Sequence, residues 1–218
     1  MRLLAARDAR VQARGLADRL AIRLRVNGGT IALPGGTTPG PLFDALARRN
    51  ANWRRVTVTM TDERWADPKS AASNEALLRR RLFVAQARAA HFVALKTPHS
   101  SPSAAAGAVS ARLKPVLPLD ICVLGMGEDG HIASLFPGAD LASRGVAVPA
   151  YVAQARGAAD RISLSLRAIL SARLVVIFMR GREKRDALRR FLRDDAPLTP
   201  IKALLEKRRG PIWLSWSP

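Results

Sequence analysis

At 218 residues, with 48% hydrophobic and 24% charged residues, the chain has the length for one α/β domain with a sizeable core, residues 1–218, and its balance excludes a disordered or fibrous polymer. The 36 basic residues outnumber the 17 acidic ones, a formal net charge of +19 that favours anionic ligands. No run of about 18 apolar residues exists to form a helical membrane span, and the single cysteine, Cys122, excludes an internal disulfide.

The first stretch carries Arg2, Arg7, Arg10 and Arg14 and lacks the apolar core of a signal peptide, so a cytoplasmic protein is expected. Leu16, Leu20 and Leu24, four apart among arginines, predict an amphipathic helix that stops near Asn27-Gly28-Gly29. Thr30–Leu33 reads as a short strand, followed by Pro34-Gly-Gly-Thr-Thr-Pro39 and a helix starting near Pro39. Such a turn offers backbone N–H groups to an anion, although no Gly-Lys-Ser/Thr follows to make it a Walker loop.

Val56–Met60 alternates and is rich in β-branched residues, the pattern of a strand. It opens into Thr61-Asp62-Glu63-Arg64-Trp65, where two carboxylates and an arginine would meet a polar ligand at the strand's carboxyl end. Ser73-Asn74-Glu75 starts a helix through Leu82 and Phe83, with the arginines at 79, 80 and 81 on its solvated face. His91–Leu95 reads as a strand and Ala104–Leu113 as a helix, and His91 and His99 are expected to be structural or exposed.

Ile121–Leu124 is an apolar run and predicts a buried strand that contains Cys122 as a small core residue. After it come Gly125, Gly127 and Gly130, with Asp129 and His131 beside them. A carboxylate and an imidazole at a strand's carboxyl end can exchange protons near neutral pH. The Gly-x-Gly-x-x-Gly spacing also matches a dinucleotide-binding turn. That reading lacks its crossover helix, because Ile132–Phe136 runs into Pro137-Gly138, and Asp140 lies too near to be its acidic partner.

Residues 138–160 show little periodicity. Beyond them, Arg161–Leu166 reads as a strand, Ala168–Ala172 as a short helix and Leu174–Met179 as a central parallel strand. Gly181–Leu192 is a helix expected to turn Ala187, Leu188, Phe191 and Leu192 inward. Lys184 stands in its first turn, where the helix dipole disfavours a cation, and so points to an anionic partner. Pro200 begins a helix and Pro211–Trp216 ends the chain as a strand. Strands alternating with helices predict a mainly parallel sheet covered on both faces. The basic residues are spread along the chain, with no arginine-rich tail and no stacking aromatics beside them. The charge therefore fits a phosphorylated small molecule better than nucleic acid, which stays as an alternative.

Together these segments resemble the 6-phosphogluconolactonase family. Leu33–Pro39 looks like its glycine-rich loop, and Thr61-Asp-Glu-Arg64 with Ser73-Asn74 looks like its Asp-Glu-Arg segment. Leu124-Gly-Met-Gly-Glu-Asp-Gly-His-Ile-Ala-Ser-Leu-Phe-Pro137 is the most specific match, and Arg161-Ile-Ser, Gly181-x-x-Lys184 and Pro200-Ile-Lys extend the likeness to residue 216. Three segments depart from the family pattern: Ala66-Asp67-Pro68, Gln154–Asp160 and Trp213-Leu-Ser-Trp216.

The resemblance implies a Rossmann-like three-layer α/β/α fold shared with sugar-phosphate isomerases. It implies hydrolysis of 6-phospho-D-glucono-1,5-lactone with no metal or organic cofactor; a monomer with no nucleic-acid or membrane partner is expected beside it. His131 is then expected as general base, oriented by Asp129. Arg64, Lys184 and Arg161 are expected to bind the phosphate or polarise the carbonyl, and Gly35, Gly36, Thr37 and Gly127 to line the substrate site. Asp62 is expected to position Arg64 or a sugar hydroxyl. A glucosamine-6-phosphate deaminase is the nearest enzyme alternative, but Asp-Glu-Arg and Ala-Ser-Leu-Phe-Pro favour the lactonase.

Overall fold

The computed structural model describes residues 1–152 and 159–218. The N-terminal arginine-rich stretch opens with strand β1 (Arg2–Ala5), and helix α1 (Ala9–Leu24) follows. Asp8 starts that helix by accepting hydrogen bonds from the N–H groups of Arg10 and Val11. The leucine stripe predicted at 16, 20 and 24 is buried, as a four-residue spacing on one helix face requires. Then come β2 (Gly29–Leu33), α2 (Gly40–Leu46), β3 (Val56–Met60) and β4 (Asp62–Arg64). Next are α3 (Asn74–Arg81), β5 (His91–Phe92), α4 (Pro102–Leu113) and β6 (Ile121–Leu124). The chain continues with β7 (Ala147–Tyr151), β8 (Asp160–Leu164), α5 (Leu166–Ser171) and β9 (Leu174–Arg180). It ends with α6 (Arg182–Phe191), α7 (Pro200–Lys207) and β10 (Ile212–Ser217).

Seven strands form a parallel sheet in the order β1-β10-β9-β6-β2-β3-β5. Helices flank it, and its middle strands are closed to water. All of Ile121–Leu124 and Leu174–Met179 is buried, which is why both read as unbroken apolar runs. Cys122 is fully buried there, and burial pushes its thiol up to about 12, far from a reactive thiolate.

A second, antiparallel sheet of order β4-β8-β7 stands beside the first. It is joined to the end of β3 by Leu164 N–H donating to the Thr61 carbonyl at 2.8 Å. Helix α4 packs on β7 and β8. No helix among the described residues is long and apolar enough to cross a membrane.

Several expectations change. The segment into which β3 opens has a strand of its own at its centre, β4, paired with β8. The strand at His91–Leu95 shortens to two residues, and Leu166 belongs to a helix capped by Ser165, not to the preceding strand. Leu192 is 49% exposed instead of facing inward, because it follows the last turn of α6. Arg81 is not merely solvated: it forms an ion pair with Asp44 of α2. Of the departures from the family pattern, Gln154 to Ala158 lies outside the described residues, whereas Asp160 opens β8.

Candidate active site

The strand order dictates where a cleft can form. From β2 the chain moves outward through β3 to β5, then returns to β6 on the other side of β2 and proceeds through β9 to β10. Order reverses between β2 and β6, so the loops leaving those two strands diverge and leave a crevice at their carboxyl ends. A cavity of about 290 Å³ lies there, lined by Gly35, Gly36 and Thr37 from one loop and Gly125, Gly127 and His131 from the other. Asp62, Arg64, Asn74, Arg161 and Lys184 reach it from other elements.

The loop after β2 owes its shape to glycine. Gly36 has φ of +86°, a conformation that residues with a Cβ rarely adopt. Arg180, at the end of β9, braces the loop by donating from Nη2 to the Thr38 carbonyl at 3.4 Å.

Strand alternation sorts the Asp62-Glu63-Arg64 run. Asp62 and Arg64 line the cavity, whereas Glu63 turns to the opposite side, 1% exposed. Expected as a second carboxylate for a ligand, Glu63 instead caps α3. It accepts from the N–H groups of Asn74 and Glu75 at 2.8 Å each, of Arg64 at 2.7 Å, and from Ser73 Oγ at 3.0 Å. Burial pushes its carboxyl above the ordinary value, and these hydrogen bonds pull the other way.

Arg64 lies directly opposite Arg161 in the β4–β8 register. Like charges so placed repel and destabilise a strand pair, a cost that a bound anion would remove. Both guanidinium Nε atoms are buried without a hydrogen-bond partner among the described residues. Burial pushes the Arg161 guanidinium down from its usual value; Asp62 opposes that shift and Arg64 adds to it. The Arg64 Nη1 donates to the Ala72 carbonyl at 2.9 Å and to Asn74 Oδ1 at 3.0 Å. Asp62, 6% exposed, is fixed by donors at both oxygens, Thr61 Oγ at 3.1 Å and Ser134 Oγ at 2.7 Å.

The loop after β6 folds back on itself, with Gly127 N–H donating to the His131 carbonyl at 2.9 Å. That return brings the side chains of residues 129 and 131 together. Asp129 Oδ1 lies 2.6 Å from His131 Nδ1 and accepts from the His131 N–H at 3.2 Å. The imidazole stacks against Phe136, ring centroids 4.4 Å apart. Gly127 allows this: a Cβ there would come within 2.2 Å of His131 Nδ1. An imidazole with one nitrogen held by a carboxylate has its tautomer set and its other nitrogen available for proton transfer.

Lys184 enters from the first turn of α6, whose N-cap Gly181 offers no side-chain hydrogen bond. The C-terminal tryptophan supports that end of the helix, because Trp216 Nε1 donates to the Gly181 carbonyl at 2.9 Å.

The cavity thus gathers Gly35, Gly36, Thr37, Asp62, Arg64, Gly127, His131, Arg161 and Lys184, all singled out from sequence, with Asp129 behind His131. Sequence reading missed the supports: Asn74 as a cavity residue, Ser134 beneath Asp62 and Arg180 behind the glycine-rich loop. A small polar residue inside Ile132–Leu135 was the one signal for Ser134, and nothing in the sequence distinguished Arg180 from its neighbours. His91 and His99 do not line the cavity; they meet the Arg54 carbonyl and Thr97 Oγ. No cluster of potential metal-ligating side chains occurs among the described residues.

The family model for glucosamine-6-phosphate isomerases/6-phosphogluconolactonase matches residues 4–213. A 6-phosphogluconolactonase of Caulobacter vibrioides is 36% identical over 85% of this chain and 82% of its own. A 6-phosphogluconolactonase of Mesorhizobium japonicum is 36% identical over 93% of this chain and 88% of its own. The crystal structure of a 6-phosphogluconolactonase from Shewanella baltica superposes with a TM-score of 0.93 at 31% identity, covering 100% of this chain and 98% of that one. The chain belongs to the glucosamine-6-phosphate isomerase/6-phosphogluconolactonase family.

Proposed function

We propose that the protein hydrolyses 6-phospho-D-glucono-1,5-lactone to 6-phospho-D-gluconate, the second step of the oxidative pentose phosphate pathway. The observation that carries this reading is His131, held by Asp129 at 2.6 Å, in the same cavity as Arg64, Arg161 and Lys184. Lactone hydrolysis needs an activated water, a site for the oxyanion and a grip on a distant phosphate. The relatives named above carry the same activity in their names.

In this mechanism Asp129 accepts a hydrogen bond from the Nδ1–H of His131, which leaves Nε2 as the base. Nε2 removes a proton from water as the oxygen attacks the lactone carbonyl. The resulting oxyanion is stabilised by the cations, and its collapse breaks the bond to the ring oxygen. That oxygen receives the proton back from the imidazolium, and the new carboxyl group ionises to solvent. Arg64, Arg161 and Lys184 divide between phosphate and oxyanion. The N–H groups of Gly35, Gly36 and Thr37 meet phosphate oxygens, and Asp62 orients Arg64 or a sugar hydroxyl.

The enzyme works in this reading as a cytoplasmic monomer of one domain, residues 1–218, which light scattering checks. The deciding assay generates the lactone in situ and follows its loss with and without protein, subtracting spontaneous opening. Acceleration over the blank is expected. Equal rates would reject the reading and turn attention to amino-sugar phosphates.

A further inference from the structure

Asn74 joins three parts of the cavity through a single buried amide, 2% exposed. Its Oδ1 accepts from Arg64 Nη1 at 3.0 Å and its Nδ2 donates to the Asp62 carbonyl at 2.9 Å. The reverse orientation would set NH₂ against a guanidinium and oxygen against a carbonyl, so both neighbours demand the same one. Its backbone N–H is held by Glu63 Oε1 at 2.8 Å, which anchors the residue at the start of α3.

The third part is the glycine-rich loop. A Cβ on Gly35 would stand 1.9 Å from Asn74 Oδ1 and 2.0 Å from its Cγ. The absence of a side chain at position 35 therefore lets the loop backbone rest on the amide that holds Arg64. The loop and the guanidinium belong to different strands and different sheets, and Asn74 bridges them.

We propose that Asn74 is a positioning residue that sets the spacing between the glycine-rich loop and the Arg64 guanidinium, and so governs affinity for the phosphorylated ligand. This rests on the lactonase reading for the identity of that ligand, but the coupling of loop to guanidinium does not depend on it. Arginine carries much rotamer freedom, and without Asn74 the Ala72 carbonyl is the one remaining hydrogen-bond acceptor of the Arg64 guanidinium among the described residues. Aspartate is no substitute. It would keep the acceptor, lose the donor to the Asp62 carbonyl, and place a negative charge between Arg64 and an incoming phosphate.

The test is a double-mutant cycle on the full chain: Asn74→Ala, Gly35→Ala and the pair, with Asn74→Asp as a same-size control. Steady-state KM and kcat are measured, with calorimetric Kd values for 6-phosphogluconate and inorganic phosphate and a Tm for each protein. Asn74→Ala is expected to raise KM and Kd about tenfold, the loss of one charge-assisted hydrogen bond, with kcat near wild type. Gly35→Ala raises them at least as much. The pair binds no worse than Gly35→Ala alone, because the atoms that the new Cβ meets are gone. Asn74→Asp binds more weakly than Asn74→Ala while melting no lower.

Fold-changes that simply multiply in the pair would overturn the proposal, as would wild-type binding by Asn74→Asp. If Asn74→Ala does not fold, Asn74→Asp and Gly35→Ala still decide through binding. A wild-type protein that binds phosphate with this coupling but leaves the lactone untouched sinks the lactonase reading and keeps the role of Asn74.

Discussion

The two sheets supply the cavity by different means. The seven-stranded sheet is apolar at its centre, and it contributes through the loops that leave its strands: glycine-shaped backbone at 35–36 and 125–130, with His131 as the one ionisable side chain from those loops that lines the cavity. The three-stranded sheet contributes through the strands themselves, with Asp62, Arg64 and Arg161 on the cavity side and Glu63 turned away. One sheet is built to hold a chain shape, and the other to hold charge that does not balance until a ligand arrives. In the proposed mechanism the base, the loop N–H groups at 35–37 and Lys184 stand on the first support, the seven-stranded sheet, and the arginine pair on the second, so separate mutations should reach the base and the arginines.

The largest effect is expected on the first support. His131→Ala should lower kcat by about 10²–10⁴-fold, the usual cost of a lost acid–base catalyst, with little change in KM. Near-wild-type turnover by a folded variant would remove the assignment. Gly127→Ala probes the same support while leaving the His131 side chain itself unaltered. Its Cβ would lie within 2.2 Å of the His131 ring, and a base displaced by about an ångström can cost on the order of 10²-fold in rate. A kcat unchanged in Gly127→Ala would show that the loop does not set the base's position.

Arg161→Met tests the second support. KM should rise roughly 10- to 100-fold, as for a lost hydrogen bond to a charged group, with a smaller change in kcat. Tm should hold or rise, because relieving a like-charge strand pair is worth about 0.2–1 kcal/mol. A fall in Tm with unchanged KM would mean that the arginine pair is structural, and the contrast between the sheets would fail.

The smallest effect belongs to Glu63, on the far face of β4. Burial raises its carboxyl above the ordinary value. Between about pH 4 and that raised value the folded chain keeps a proton that the unfolded chain releases, so stability falls as pH rises through the window. Glu63→Gln cannot titrate, and its Tm-versus-pH curve should lack this slope. Parallel curves for the two proteins would dismiss the effect.

The first support was more legible in the sequence than the second. Ile121–Leu124 and Leu174–Met179 announced themselves because strands buried on both faces are apolar throughout. The glycines and His131 followed from local spacing, and the resemblance drew the cavity residues into one set. Strands β1 and β7 were not legible. β1 is an edge strand, largely exposed, that pairs with β10 from the far end of the chain, and β7 lies in a stretch of weak periodicity. The register that sets Arg64 against Arg161 joins residues almost a hundred positions apart, so no local pattern encodes it. For Glu63 the alternation of a three-residue strand decided the outcome, but a strand that short cannot be read from periodicity. The Trp213–Trp216 departure turned out to brace the helix that carries Lys184, through Trp216 and the Gly181 carbonyl.

The facing arginines, with Lys184 nearby, also bear on how a turnover ends. Opening a lactone creates a carboxylate, so the product leaves with one more negative charge than the substrate brought. The cations that admit the substrate therefore retain the product more strongly, and departure becomes a candidate for the slow step. Dissolved salt weakens both attractions. At low ionic strength the proposed enzyme is expected to capture lactone well and release its product slowly; at high ionic strength it is expected to release readily and capture poorly. On the proposed mechanism its best output is expected between these limits, set by charge and not by proton transfer.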